Sequence, residues 1–190
     1  MDIVLASASP RRRELLSMLG LKDFKVIPAE GEEITEAGLS PAETVCALSR
    51  AKADEVSAKC GTAALIIAAD TIVALDGDIL GKPKDADQAF NMLSRLSGRE
   101  HTVFTGVTVM RDGVISTEYE RTGVRFREIT EREILAYIAT GEPMDKAGSY
   151  GAQGIGSLFI EGIEGDFFNV MGLPLCRLSK MLEKLGVHLL

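Results

Sequence analysis

The sequence predicts an α/β fold built on a mixed β-sheet flanked by helices, and three observations lead to it. Strands and helices alternate over the first half of the chain, as they do when helices cover a sheet. The stretch "ALIIAAD", residues 64–70, is apolar enough to need cover on both faces, which suits a central strand. A ribbon of alternating polar and apolar residues, "HTVFTGVTVM" and "VISTEYERTGVRF" joined at "RDG", then adds a long hairpin and argues against a purely parallel sheet.

Taken in order, "IVLA" reads as a buried strand. Ser9 and Pro10 then open a helix that ends at Gly20, with Leu15, Leu16 and Leu19 on its inner face. "FKVIP" is a second strand and "AEGEEITEAGL" an acidic loop. Ser40-Pro41-Ala42-Glu43 is a capping box with proline at the first helical position, starting a helix to about Cys60 that Gly61 closes. After the central strand, "TIVALDGDIL" reads as strand, Asp-Gly turn and strand. Asp85 and Gln88 mark a helix start with Gly98 as its stop, and Thr130 to Glu133 cap a helix that ends at Gly141. The last helix runs from about Val170 to Leu185, interrupted or preceded near Pro174. The methionines fall at apolar helical positions and read as core.

With 190 residues, 46% of them apolar, the chain is expected to form one domain over 1–190 with a sizeable core. Its 28 acidic against 21 basic residues, a net charge of −7, argue against a broad surface for nucleic acid or anionic lipid. Any bound anion must be met by a local cluster. Cys46, Cys60 and Cys176 are odd in number and lack metal or disulfide spacing, which suits a reducing cytosol. "MDIVLASASP" lacks the pattern of a signal peptide, and "AALIIAA" is too short to span a bilayer. The expectation is a soluble cytoplasmic protein without nucleic-acid or membrane partners, its oligomeric state open to a homodimer.

Four stretches hold residues suited to chemistry. In "LASASPRRRELL" a strand feeds a helix start, where free backbone N–H groups and the positive dipole end favour an anion. Ser7 and Ser9 add hydroxyls, and Arg11 and Arg12 add planar forks suited to phosphate. Arginine is unfavourable in a first helical turn unless an anion sits there; the bland alternative is a solvated helix face. In "AADTIV", Asp70 and Thr71 end the most buried strand, where open α/β sheets bind ligands. A turn-capping Asp is the alternative, but "LGKPKD" follows, with Lys82 held between a glycine and a proline.

In "EGEEI", Glu30, Glu32 and Glu33 alone read as solvated charge; with Asp70 they offer oxygen ligands for Mg²⁺, which takes one or two carboxylates plus substrate phosphates. In "DKAGSYGAQGIG", residues 145–156, four glycines lie among Lys146, Ser149, Tyr150 and Gln153, a loop whose backbone can approach a ligand closely. It matches neither the P-loop nor the dinucleotide-binding pattern. His101 and His188 have no cysteine or carboxylate at metal spacing, and no serine has the G-x-S-x-G context of a nucleophile elbow.

The ordered blocks "LASASPRR", "AADTIV", "LGKP", "TGV" and "DKAGSYGAQGIG" resemble the Maf family of nucleoside triphosphate pyrophosphatases, from residue 3 to about 175. The resemblance implies a Maf/ITPase-like fold, an elongated mixed sheet with a cleft between two lobes. It implies hydrolysis of a nucleoside triphosphate to the monophosphate and pyrophosphate with a divalent metal, Mg²⁺ or Mn²⁺. By position, Asp70 matches the family's catalytic carboxylate and proton acceptor. Ser7, Arg11, Arg12, Lys52 and Lys82 match its phosphate-handling residues, and Glu33 matches the acidic position that helps Asp70 hold metal. "DT" and "SYGAQG" resemble the branch acting on dTTP and UTP, which makes Arg11, Thr71 and Gln153 the specificity positions. An amide at Gln153 both donates and accepts, as a pyrimidine edge requires. Arg13 is expected to be plain helix surface.

Three other readings compete. A nucleotide-binding regulator without turnover fits the family's link to septum formation and division arrest. A pyrophosphatase for a modified purine such as 7-methyl-GTP is disfavoured by Thr71 and Gln153. A phosphomonoesterase would need an aspartyl or histidyl nucleophile context that the chain lacks.

Overall fold

The computed structural model describes residues 2–21, 23–31, 38–61 and 63–190. Seven strands form a mixed sheet in the order β2-β1-β3-β5-β6-β7, with β4 paired to β3. They are β1 (Ile3–Leu5), β2 (Phe24–Val26), β3 (Leu65–Leu75), β4 (Asp78–Leu80), β5 (Glu100–Arg111), β6 (Val114–Phe126) and β7 (Ile160–Glu164). The helices are α1 (Pro10–Met18), α2 (Pro41–Cys60), α3 (Ala86–Leu96), α4 (Glu131–Ala139), α5 (Phe167–Met171) and α6 (Leu175–Lys184). The chain divides into two compact units. One comprises Met1–Asp70, Thr105–Glu120 and Gly172–Leu190; the other comprises Thr71–Phe104 and Arg121–Met171.

In the first unit β1 pairs in parallel with β2 and with β3, Leu5 lying opposite Val26 and Ile67. Its core brings Val4, Ile66 and Ala68 of the sheet, with the adjoining Ala6 and Ala64, against Ala53 and Val56 of α2. The alanines let the helix lie close. α2 starts at a complete capping box, Ser40 with Glu43, and stops at Gly61. Val45, Ser49, Lys52 and Val56 are spaced four, three and four apart, so they share one face. That face is fixed against β5 at two points. A Cβ on Gly106 would fall 2.2 Å from the Val45 carbonyl oxygen, so only glycine fits there. Ser49 Oγ bonds Thr108 Oγ1 at 3.0 Å, and Thr108 bonds Thr117 of β6 at 2.9 Å. α6 buries Leu175, Leu178, Met181 and Leu182. Arg177 ties it to Glu118 and Glu120 of β6 at 2.7 and 2.9 Å.

The second unit has its own core. Met92, Leu93 and Leu96 of α3 and Ile134 and Tyr137 of α4 pack with Val73, Val103, Val124, Phe126, Tyr150 and Phe159. Full burial of each such side chain contributes about 1.5–3 kcal/mol. The rings meet edge to face: Tyr150 on Phe126 at 4.7 Å and Tyr137 on Phe159 at 5.0 Å between centroids. α3 is capped by Asp85 and α4 by a second capping box, Thr130 with Glu133. Between α4 and β7 the backbone makes three short 3-10 turns, Glu142–Asp145, Ala147–Ser149 and Ile155–Phe159.

The caps and the hairpin fall where the sequence places them. Two expectations are corrected. β3 runs unbroken from Leu65 to Leu75, so Asp70 and Thr71 lie in mid-strand. Met18 is 61% exposed on α1, and Met110 is buried on a strand rather than a helix. No helix among the described residues is long and apolar enough to cross a membrane.

Candidate functional site

β1 ends because Ala6-Ser7-Ala8-Ser9-Pro10 follows: its apolar run stops, and Pro10 has no N–H to extend a ladder. Pro10 opens α1 instead, with Ser9 as its cap. Ser7, itself buried, accepts from the Ser9 N–H and from Arg12 Nη1, both at 3.2 Å. Arg12 Nε donates to the Gly172 carbonyl at 2.8 Å. The Ser7 hydroxyl and the Gly172 carbonyl thus orient the guanidinium. The first turn of α1 holds no acidic residue although the dipole favours one there. Arg11 is half-buried on the same turn, and Arg13 is exposed, as expected for helix surface.

Asp70 sits a short way along. The parallel pairing of β1 and β3 ends at Leu5 and Ile67, followed by the Ala6 N–H to Ile67 carbonyl bond at 2.8 Å. Ser7 comes two residues after that pair on one strand and Asp70 three after it on the other. The carboxyl edge is therefore an edge of the pairing and not the end of β3. Asp70 is 6% exposed, and its carboxylate accepts a hydrogen bond from Lys52 Nζ. Lys52 reaches it from the α2 face that Val45 and Ser49 hold on the sheet. A buried carboxylate without such a partner would be severely unfavourable. Thr71, the next residue, is half-buried.

The acidic loop is only partly described. Glu33 and Glu32 lie outside the described residues. Glu30 is 83% exposed at its side chain and lies 3.7 Å from Lys59, the solvated charge that the sequence also allowed. What organises this stretch is Glu55 of α2, whose two oxygens accept the successive N–H groups of Glu30 and Gly31 at 2.9 and 3.0 Å. Those bonds and the Lys59 ammonium hold the Glu55 carboxyl down at about 2. Among the described residues no three His, Cys, Asp or Glu side chains come together as a metal cluster. Asp70 offers hard oxygen donors of the kind that suit Mg²⁺ or Mn²⁺, which complete their shell with phosphate oxygens and water.

Lys82 and Gln153 are both exposed, and both belong to the second unit. Lys82 stands between Gly81 and the buried Pro83, and the Gly81 carbonyl accepts the Gly148 N–H at 3.1 Å. The lysine's base is thereby stitched to the glycine-rich loop. The glycines of that loop have close neighbours within the protein. At the described geometry they make room for the protein's own side chains. A Cβ on Gly148 would meet Val73 Cγ2 at 2.8 Å, and one on Gly154 would meet the Glu142 carboxylate at 2.4 Å. Tyr150 is in the core, bonded to His101 Nε2 at 2.8 Å. Burial pushes the His101 pKa down to about 4, which makes it a neutral core histidine.

Sequence reasoning missed Glu55, Tyr137 and Glu142. The available signal was the bareness of the glycine loop itself, since a stretch that admits no Cβ must have close neighbours.

A carboxylate–ammonium pair, Asp70 with Lys52, and an arginine-rich helix start thus lie near the carboxyl edge of the β1–β3 pairing, an arrangement suited to a phosphorylated ligand. The family profile "Maf-like protein" matches residues 2–185, and the chain belongs to that family. It is 48% identical over 193 residues to the dTTP/UTP pyrophosphatase of Caldicellulosiruptor saccharolyticus, covering 99% of this chain and 96% of that one. To the dTTP/UTP pyrophosphatase of Pelotomaculum thermopropionicum it is 49% identical, covering 100% and 99%. To that of Moorella thermoacetica it is 51% identical, covering 97% and 95%. A solved nucleoside-triphosphatase / dITP/XTP pyrophosphatase from Mycobacterium abscessus aligns at 15% identity with a TM-score of 0.44, too distant a likeness to bear on the chemistry.

Proposed function

We propose that this Maf-family enzyme hydrolyses dTTP and UTP to the nucleoside monophosphate and pyrophosphate. The observation that carries the chemistry is Asp70, a buried carboxylate oriented by Lys52 at the carboxyl edge of the parallel strands. In this reading one P–O bond of the α–β anhydride breaks and one forms to the water oxygen. The water's proton passes to Asp70, and the bridging oxygen leaves with pyrophosphate. Ser7, Arg11, Arg12, Lys52 and Lys82 bind phosphate oxygens and stabilise the charge that grows on the leaving group. A divalent cation, Mg²⁺ or Mn²⁺, held by Asp70 with Glu33, would neutralise phosphate charge when bound. A triphosphate concentrates its negative charge in one small group, so a basic corner on an acidic chain is what the reaction needs.

The base is read by Gln153, with Arg11 and Thr71 as further specificity positions. One amide acceptor and one donor match the adjacent N3–H and O2 of thymine or uracil. Guanine shares the N–H but carries the N2 amino group where a pyrimidine has O2, so two donors face the amide and its N–H is left unpaired, a mismatch that costs about 1–3 kcal/mol. The relatives' shared name, dTTP/UTP pyrophosphatase, supports the same choice of base. The test is pyrophosphate release across UTP, dTTP, GTP and 7-methyl-GTP. Higher kcat/KM for UTP and dTTP is expected, and a preference for 7-methyl-GTP over UTP would contradict the choice of base.

A further inference from the structure

Gln153 is exposed, on a loop with no regular secondary structure from 151 to 154. An exposed amide on a free loop would discriminate poorly, because ordering it on binding opposes the contact it makes. The backbone on both sides of Gln153 is nevertheless held, and one carboxylate holds it. α4 ends at Ala139, and Gly141, with its left-handed φ of 76°, turns the chain into the Glu142–Asp145 turn. Glu142 Oε2 accepts the Ile155 N–H at 2.9 Å. Its Oε1 accepts the Gly156 N–H at 3.1 Å and the Tyr137 hydroxyl at 2.9 Å. Tyr137 Oη in turn accepts the Gly151 N–H at 3.1 Å. Three amides flanking Gln153, one before it and two after, therefore end on a single carboxylate and its phenol.

The glycines of the loop are shaped to this clamp. A Cβ on Gly151 would lie 3.0 Å from Glu142 Oε1, and one on Gly156 would lie 2.6 Å from Tyr137 Oη. Lys146 Nζ donates to the Glu142 backbone carbonyl at 2.5 Å, tying down the turn that carries the carboxylate. Burial works to raise the Glu142 pKa, but donation from Ile155, Gly156 and Tyr137 and the Lys146 charge hold it below the ordinary glutamate value. The clamp is thus acceptor-only near neutral pH. A glutamine there would turn an –NH₂ toward donors that need an acceptor.

We propose that Glu142 is a positioning residue for base recognition, fixing the backbone on both sides of Gln153 so that its amide meets the base in one orientation. This rests on the reading of Gln153 as the base contact. The test uses the full chain as wild type, Gln153→Ala, Glu142→Gln and the double variant, with kcat and KM for pyrophosphate release measured on UTP and GTP. Gln153→Ala is expected to lower the UTP:GTP ratio of kcat/KM by at least about fivefold, the low end for a lost buried polar contact. Glu142→Gln is expected to lower it by a similar factor, with the loss mainly in KM for UTP. The double variant should fall no lower than Gln153→Ala, because the two residues act through one contact.

If Gln153→Ala lowers the ratio and Glu142→Gln does not, or if their effects add, Glu142 does not position the base contact and the Gln153 reading survives. If Gln153→Ala leaves the ratio at the wild-type value, both fall. Should Glu142→Gln fail to fold, Tyr137→Phe keeps the ring packed on Phe159 and removes only the phenolic link; it should lower the ratio in the same direction. Native-state hydrogen exchange on the wild type gives a check without any variant. The Ile155 and Gly156 amides should be protected although Ile155 is 47% exposed. Exchange at unstructured-chain rates would overturn the clamp.

Discussion

Asp70 and Gln153 are held in place by different kinds of structure. Around Asp70 the supports are regular elements: paired strands, a 20-residue helix pinned at Gly106 and Thr108, and a lysine that its helix face delivers to the carboxylate. Around Gln153 the supports are side chains reaching to backbone amides, with Glu142 and Tyr137 doing what a ladder of hydrogen bonds does elsewhere. The difference matches the two tasks proposed for these residues. A base that takes a proton must keep one position through every turnover, and burial in a sheet secures that. A contact that selects a nucleobase can sit on irregular backbone, provided something fixes it.

That contrast can be broken at specific points. The largest effect is expected from Gly106→Ala. The new methyl would overlap the Val45 carbonyl and Cys46 N–H of α2, which are backbone and cannot swing aside. A loss of at least about 3 kcal/mol is expected, read as a shift in urea midpoint, with activity falling as α2 and Lys52 move.

Next is acid sensitivity in the second unit. The unfolded His101 takes up a proton below about pH 6.5, whereas the folded one resists until about 4. Between those values the unfolded state binds more protons, so stability falls as pH falls, by about 2–3 kcal/mol at pH 4.5. His101→Gln should remove that part of the pH dependence in denaturant titrations at pH 7 and 4.5. An equal slope for variant and wild type would show that His101 is not held neutral by its burial beside Phe126 and Tyr150.

A smaller effect is expected at the arginine corner. Arg12→Ala removes a charge-assisted contact worth about 1.5–3 kcal/mol, so kcat/KM for UTP should fall about 10- to 150-fold. Arg13→Ala, on the exposed side of α1, should change it little. Equal effects from the two would return the corner to a solvated helix face.

The same contrast explains what could be read from the chain. Helix starts at Ser9, Ser40, Asp85 and Thr130 were legible because a cap is a rule about neighbours in sequence. So were the turns at Asp76-Gly77 and Asp112-Gly113, where both residues take positive φ. Asp70 was legible as a strand carboxylate but was assigned to the strand's end. The edge that matters is set by where β1 stops pairing, and that is a partner's property rather than the strand's own. The glycine loop was legible as a place of close approach, but not for which side chains. Its neighbours are Val73, Tyr137 and Glu142, and nothing local in "GAQGIG" points to them. Glu55 shows the limit plainly. Its pairing with Lys59 four residues on is an ordinary helix pattern, whereas its grip on the Glu30 and Gly31 amides spans 25 and 24 residues.

The central claim is that Asp70 takes the proton of the attacking water while other residues bind the nucleotide. The most direct measurement is kcat for pyrophosphate release from saturating UTP by Asp70→Asn, with UTP affinity measured in parallel by calorimetry. Asparagine keeps the shape but cannot accept the proton, so kcat should fall by about 10²–10⁴ while affinity stays within a few-fold of wild type. A variant that turned over UTP at a near wild-type kcat would contradict the account, because no proton acceptor would then be needed at position 70.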